Sequence, residues 1–262
     1  MFRNLTPVVK NLLIVNAGLL VLTYLLSYAG IDLVKILGLF YFKSEYFMPY
    51  QFVSHMFMHG GLVHLLFNMY ALLLFGSILE RIWGPKRFLF YYLFTGLGAA
   101  ALHTAVNWYL IHDFYSSVQD FLVHPYLENF QALTQGYSRY FNQDAVSQII
   151  NNWQSYDKTA LRESVDNALQ AQMNIPTVGA SGAVFGLLLA FGMMFPNAPL
   201  GIIFIPVRIK AKWFVIGYGA LELISGIRNA SGDNIAHFAH LGGMIFGFIL
   251  LKIWYKGNLK QQ

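Results

Sequence analysis

Three short polar motifs interrupt an otherwise apolar chain, and each carries residue types that can do chemistry. The first is His59, then His64 and Asn68; the last two stand i, i+4 and share one helix face. The second is Gly179-Ala180-Ser181-Gly182. The third is Ala239-His240-Leu241-Gly242-Gly243, with Gly247 one turn later. A serine hydroxyl within hydrogen-bond reach of an imidazole is an activated nucleophile. The glycines beside Ser181 and after His240 let two helices approach closely enough for that contact. Each feature has a plainer role. Gly182/Gly186 and Gly243/Gly247 are small-xxx-small packing pairs, and a lone serine caps a helix. Their joint occurrence at apolar segments favours chemistry, because polar groups inside a membrane are costly without partners.

These motifs must be positioned by membrane helices. Of the 262 residues, 56% are hydrophobic, 17% aromatic and only 11% charged, which excludes a disordered chain and argues against an ordinary cytosolic enzyme. The net charge of +5 reads as membrane topology, with no nucleic acid among the partners. There is no cysteine, hence no disulfide, thiolate nucleophile or Cys-ligated metal. Six apolar stretches approach the length needed to cross a hydrocarbon core of about 30 Å. They run from about Leu12 to Ala29, Leu62 to Leu79, Phe88 to Leu110, Ala180 to Phe195, Trp213 to Ile227 and Ile235 to Tyr255. The first is a span and not a signal peptide, since no small-residue cleavage site follows it. Between the fourth and fifth, Pro196, Pro199 and Pro206 with Arg208, Lys210 and Lys212 indicate a turn and a basic loop. An inside N-terminus puts 11 of the 17 Lys and Arg on the inside, from Arg3 and Lys10 to Lys260, so both termini are expected in the cytoplasm. In that frame all three motifs lie toward the outer ends of their helices.

The expected fold is an all-α polytopic membrane protein, a six-transmembrane-helix bundle with an amphipathic helical insertion. Residues 1–110 hold helices 1–3 of the core, 111–175 the insertion and 176–262 helices 4–6. The insertion carries seven acidic and three basic residues, which suits the outside. Val146, Ile149, Ile150 and Trp153 mark one amphipathic helix. Leu161, Val165, Leu169 and Met173 mark a second, with Asp157 or Thr159 as its cap. The insertion has no metal motif or Gly-rich loop and is expected to act as a cap that modulates access.

The pattern His59-x4-His64-x3-Asn68, Gly179-x-Ser181-Gly182 and Ala239-His240-x2-Gly243-x3-Gly247 resembles the rhomboid intramembrane serine proteases, as does Glu80-Arg81 closing the second span. The resemblance covers all six spans. It implies Ser181 as nucleophile and His240 as general base. It also implies an oxyanion hole from His64, Asn68 and the Ser181 N–H, with His59, Gly179, Gly182, Gly243 and Gly247 supporting the site. No cofactor or metal is implied. The substrates would be single-pass transmembrane proteins reached within the lipid bilayer, and the expected location is a bacterial inner membrane. Two features depart from the family pattern. Tyr50-Gln51 stands where many rhomboids carry Trp-Arg, and the 111–175 insertion stands where minimal bacterial members have a short loop.

No acid is obviously a third member. Asp233 falls in a loop, and Glu222 is expected near mid-membrane as a structural or gating residue. Two rival readings exist. One is a rhomboid-like client binder without activity. The other is a His-rich metal or haem protein using His55/His59 and His237/His240, although His55-Met56-Phe57-Met58-His59 lacks the Glu of a zinc-protease helix.

Overall fold

The computed structural model describes residues 5–202, 205–228 and 236–258; Arg3, Asp233 and Lys260 lie outside them. The chain is predominantly helical. In order come α1 (Pro7–Ser27), α2 (Leu33–Leu37), α3 (Gln51–Ser54), α4 (Leu62–Ala71), α5 (Ser77–Trp83) and α6 (Pro85–Val123). Then follow α7 (Leu127–Gly136), α8 (Gln143–Asn151), α9 (Lys158–Met173) and α10 (Ser181–Met194). A hairpin of β1 (Pro199–Ile202) and β2 (Ile205–Lys210) leads to α11 (Ala211–Arg228) and α12 (His237–Asn258). A π-helical turn, Leu72–Gly76, joins α4 to α5, so Leu62–Trp83 reads as one long helix.

Among the described residues four helices are long and apolar enough to cross a membrane: Pro7–Ser27, Leu62–Trp83, Pro85–Val123 and His237–Tyr255. The sequence expectation of six is met only in part. α10 is apolar but has 14 residues, about 21 Å at 1.5 Å per residue. α11 carries Lys212, Glu222 and Arg228 within its 18 residues. The expected basic loop before α11 is instead a two-stranded antiparallel hairpin. Pro199 opens its first strand, a position where the missing N–H is tolerated.

The chain divides into two compact units. The first comprises residues 1–39, 48–103 and 176–262; the second comprises 40–47 and 104–175. Leu72, Leu79, Phe88, Tyr91, Tyr92 and Leu187 are buried in the core of the first. The buried Tyr91 hydroxyl donates to the Gly186 carbonyl at 3.0 Å, fastening α6 to α10. In the second unit, Leu161, Val165, Leu169 and Met173 of α9 and Val146 of α8 are buried with Phe114, Val118, Phe121, Phe130 and Leu133. The second amphipathic helix expected here forms as spaced, and Asp157 caps it by accepting from the Thr159 N–H at 2.8 Å. The first is shorter than expected: α8 ends at Asn151, and Trp153 lies in a separate 3₁₀ turn, Trp153–Ser155. The third span was expected to end near Leu110, but α6 continues to Val123. Residues 104–123 contain neither Gly nor Pro, and Phe114, Val118 and Phe121 keep one apolar stripe in register.

Glu80 ties the start of the bundle together. Its carboxylate, 2% exposed, accepts from the N–H groups of Val8 and Val9, each at 2.9 Å. These are first-turn donors of α1, which no carbonyl of that helix can satisfy, and the positive end of the helix dipole favours the carboxylate. Thr6 at the N-cap makes no side-chain cap of its own, so α5 supplies the cap for α1. Glu80→Ala leaves one buried donor, Val9 N–H, and one part-buried donor, Val8 N–H, without their acceptor. We expect a loss of about 2 kcal/mol or more, read as a lower midpoint of thermal unfolding in detergent. An unchanged midpoint would show that the cap contributes nothing.

Candidate active site

Ser181 is the first residue of α10, and the segment before it is pinned on both sides. Leu39 and Thr177 exchange backbone hydrogen bonds at 2.9 and 2.8 Å. The Gly179 N–H donates to the His55 carbonyl at 2.9 Å, and Thr177 Oγ1 lies 2.8 Å from His103 Nε2. Gly179 has φ +132°, a conformation that side chains rarely adopt. A Cβ there would sit 2.8 Å from His64 Cε1, 2.9 Å from His64 Nε2 and 3.6 Å from Ser181 Oγ. Gly179 therefore lets the His64 ring and the Ser181 hydroxyl flank the same point. The N–H groups of Ser181 and its successors form the unsatisfied first turn of α10, a ready site for negative charge.

His240 reaches Ser181 because α12 approaches α10 at glycines. A Cβ at Gly243 would stand 1.8 Å from the Gly182 carbonyl oxygen. One at Gly182 would meet Ala99 Cβ at 2.4 Å, and one at Gly247 would meet the Tyr91 hydroxyl at 2.4 Å. The approach brings His240 Nε2 to 2.8 Å from Ser181 Oγ. The imidazole is stacked on Phe185 of α10, with ring centroids 4.1 Å apart and planes 5° from parallel. On its other nitrogen, Nδ1 lies 2.9 Å from Glu222 Oε2. The same oxygen lies 2.6 Å from His237 Nδ1.

Of the remaining expected site residues, His59 is buried with its ring edge-on to His64, centroids 5.1 Å apart. His64 Nδ1 accepts from the Gly60 N–H at 3.4 Å. Asn68, also buried, donates Nδ2–H to the His64 carbonyl at 3.0 Å. Tyr50-Gln51 anchors the first loop: Tyr50 Oη donates to the Ile36 carbonyl at 3.0 Å, and Gln51 Nε2 donates to it at 3.2 Å. A small cavity lined by His55, Thr177, Gly179, Ser181, Gly182 and Ala239 has room for about one water.

Sequence reasoning missed Glu222 as a partner of His240. Its signal was present, an acid in an apolar helix followed by two histidines three residues apart. Phe185 gave no signal at all. The cluster of Glu222, His237 and His240 places three potential ligand atoms within 4.8 Å, but the 2.6 and 2.9 Å separations are hydrogen-bond lengths, and a metal ion is not needed to satisfy them.

The family model for the rhomboid domain matches residues 46–112 and 135–257. The chain belongs to the rhomboid family. It is 28% identical over 255 residues to RHOMBOID-like protein 12, mitochondrial, of Arabidopsis thaliana, a match covering 97% of this chain and 60% of that protein. It is 42% identical over 60 residues to Rhomboid-like protein 15 of the same plant, covering 23% of this chain and 15% of that protein. The chain thus spans less than two thirds of either relative. No solved structure matches it. The rhomboid match includes all three motifs, and the glycine contacts above lie within it.

Two predictions follow from this geometry. Gly243→Ala must push α12 away from the α10 backbone, so it should destabilise the protein by about 1–3 kcal/mol. Gly217→Ala in α11, where a Cβ would meet nothing within 4 Å, should be neutral or slightly stabilising. Equal unfolding midpoints for the two variants would contradict the close approach. The second concerns the buried loop histidines. Burial pushes His55 down to about 4; burial, with the neighbouring His64, pushes His59 down to about 4. Below pH 6.5 the unfolded chain gains protons that the folded one resists, so stability should decline from about pH 6.5 toward pH 4. Thermal unfolding across that range reads it. A decline of the same steepness after His55→Gln and His59→Gln would assign it to other groups.

Proposed function

We propose that this rhomboid is an intramembrane serine protease that hydrolyses peptide bonds in the transmembrane segments of single-pass membrane proteins. The observation that carries the reading is the 2.8 Å contact between Ser181 Oγ and His240 Nε2. Ser181 Oγ–H donates to Nε2, and as Oγ attacks the scissile carbonyl the proton passes to His240. The tetrahedral oxyanion forms at the start of α10, facing the Ser181 N–H, with His64 and Asn68 as the side-chain donors. One such donor is worth about 2.7–4 kcal/mol of transition-state stabilisation. His240 then returns the proton to the leaving amine. Water, for which the small cavity beside Ser181 has room, then attacks the acyl-enzyme carbonyl, giving its proton to His240, which returns it to Ser181 Oγ as the acyl group leaves.

In this reading α10 and α11 complete a set of six membrane helices, with both termini on the basic, cytoplasmic side. The three motifs then open toward the opposite face. Substrate enters sideways from the lipid, and its helix must unwind to present a carbonyl. Small or helix-breaking residues near the cut site are the expectation.

Ser181→Ala and His240→Ala should each abolish cleavage of a transmembrane reporter reconstituted with the protein in liposomes. The double variant should be no worse than either, as expected of two groups acting as one unit. Substantial cleavage by folded Ser181→Ala would end the protease reading at this site and leave the client-binding alternative.

A further inference from the structure

We propose that Glu222 is the positioning residue of the reaction, completing a hydrogen-bonded Ser181–His240–Glu222 triad across three helices; this rests on the protease reading above. Glu222 Oε2 has two imidazole nitrogens within hydrogen-bond distance, His240 Nδ1 at 2.9 Å and His237 Nδ1 at 2.6 Å. All three side chains are about nine-tenths buried. An ionised carboxylate has only acceptors, so both nitrogens must carry hydrogen and donate to it. That places the single hydrogen of neutral His240 on Nδ1. Nε2, 2.8 Å from Ser181 Oγ, is then left as a lone-pair acceptor aimed at the hydroxyl. The opposite tautomer would put a hydrogen on Nε2 and leave the serine with no base.

The arrangement also fixes the ring in space. Phe185 holds its plane by stacking, but stacking is equally satisfied after a half-turn about Cβ–Cγ, which would exchange the Nδ1 and Cδ2 edges of the ring. The Glu222 contact removes that rotation. His237, one helical turn before His240 on α12, supplies the second donor that keeps the carboxylate in place. When the Ser181 proton moves to Nε2, the imidazolium keeps Nδ1–H and forms beside a carboxylate already paired with it. No proton passes to Glu222, and on leaving-group departure the proton returns from Nε2 to the amine, so the step balances.

The test uses the full-length protein in detergent or liposomes. Glu222→Gln keeps the shape but supplies one acceptor and an amide donor, and the imidazole can then turn to the unproductive tautomer. Its kcat should fall about 10²-fold or more with KM within about twofold of wild type. Glu222→Asp, which keeps the charge, should recover part of the loss. Independently of any variant at this position, ¹⁵N spectra of histidine-labelled protein should show His240 with hydrogen on Nδ1, its resonance identified by its disappearance in His240→Asn. A Glu222→Gln enzyme retaining more than half of kcat, or wild-type His240 carrying its hydrogen on Nε2, would overturn the proposal. An inactive Ser181→Ala beside an unimpaired Glu222→Gln removes only the role of Glu222. An active Ser181→Ala removes the protease reading beneath it.

Discussion

The close approach of α12 to α10 is the constraint on which the rest depends. A hydroxyl and an imidazole from residues 59 apart in sequence meet at 2.8 Å only if two helix backbones come nearer than side chains normally permit. Gly243 against the Gly182 carbonyl provides that, one residue beyond Ser181 and one turn beyond His240. The approach is held from behind by α6. Ala99 fills the space beside Gly182, and Tyr91 reaches past Gly247 to hydrogen-bond Gly186. In an apolar solvent there is little hydrophobic drive between helices, so such short-range packing and buried hydrogen bonds carry the association.

The two buried acids follow one rule. Each carboxylate lies within hydrogen-bond distance of nitrogen groups on a neighbouring helix: first-turn backbone N–H groups of α1 for Glu80, imidazole nitrogens of α12 for Glu222. A buried carboxylate is tolerated when its acceptors are filled, and the same filling orients what it touches. Glu80 sets where α1 starts against α5. Glu222 sets which way the His240 ring faces.

How much of this was legible in the sequence depended on the range of the interaction. Ser181, His240, His64 and Asn68 stand out because polar side chains in apolar helices are conspicuous and their flanking glycines mark close packing. The faces of α8 and α9 follow from helical periodicity alone, and Leu161, Val165, Leu169 and Met173 are all buried as spaced. Glu222 was visible as an anomaly but not as a partner, since no local spacing tells which face of α11 meets α12. The run of α6 through Asp113 and Asp120 to Val123 was hidden because charges suggested an end to the span, whereas the helix itself has nothing to stop it. The β1–β2 hairpin was hidden because short, proline-bearing strands read as loop.

The most direct measurement is the site of covalent attack by a small fluorophosphonate, mapped by mass spectrometry on the folded protein. It needs no substrate to unwind and no partner protein. The account predicts one adduct, on Ser181, formed by the wild type and lost in His240→Ala although that variant remains folded. Labelling at another residue, no labelling of folded wild-type protein, or undiminished labelling of Ser181 without His240 would contradict it.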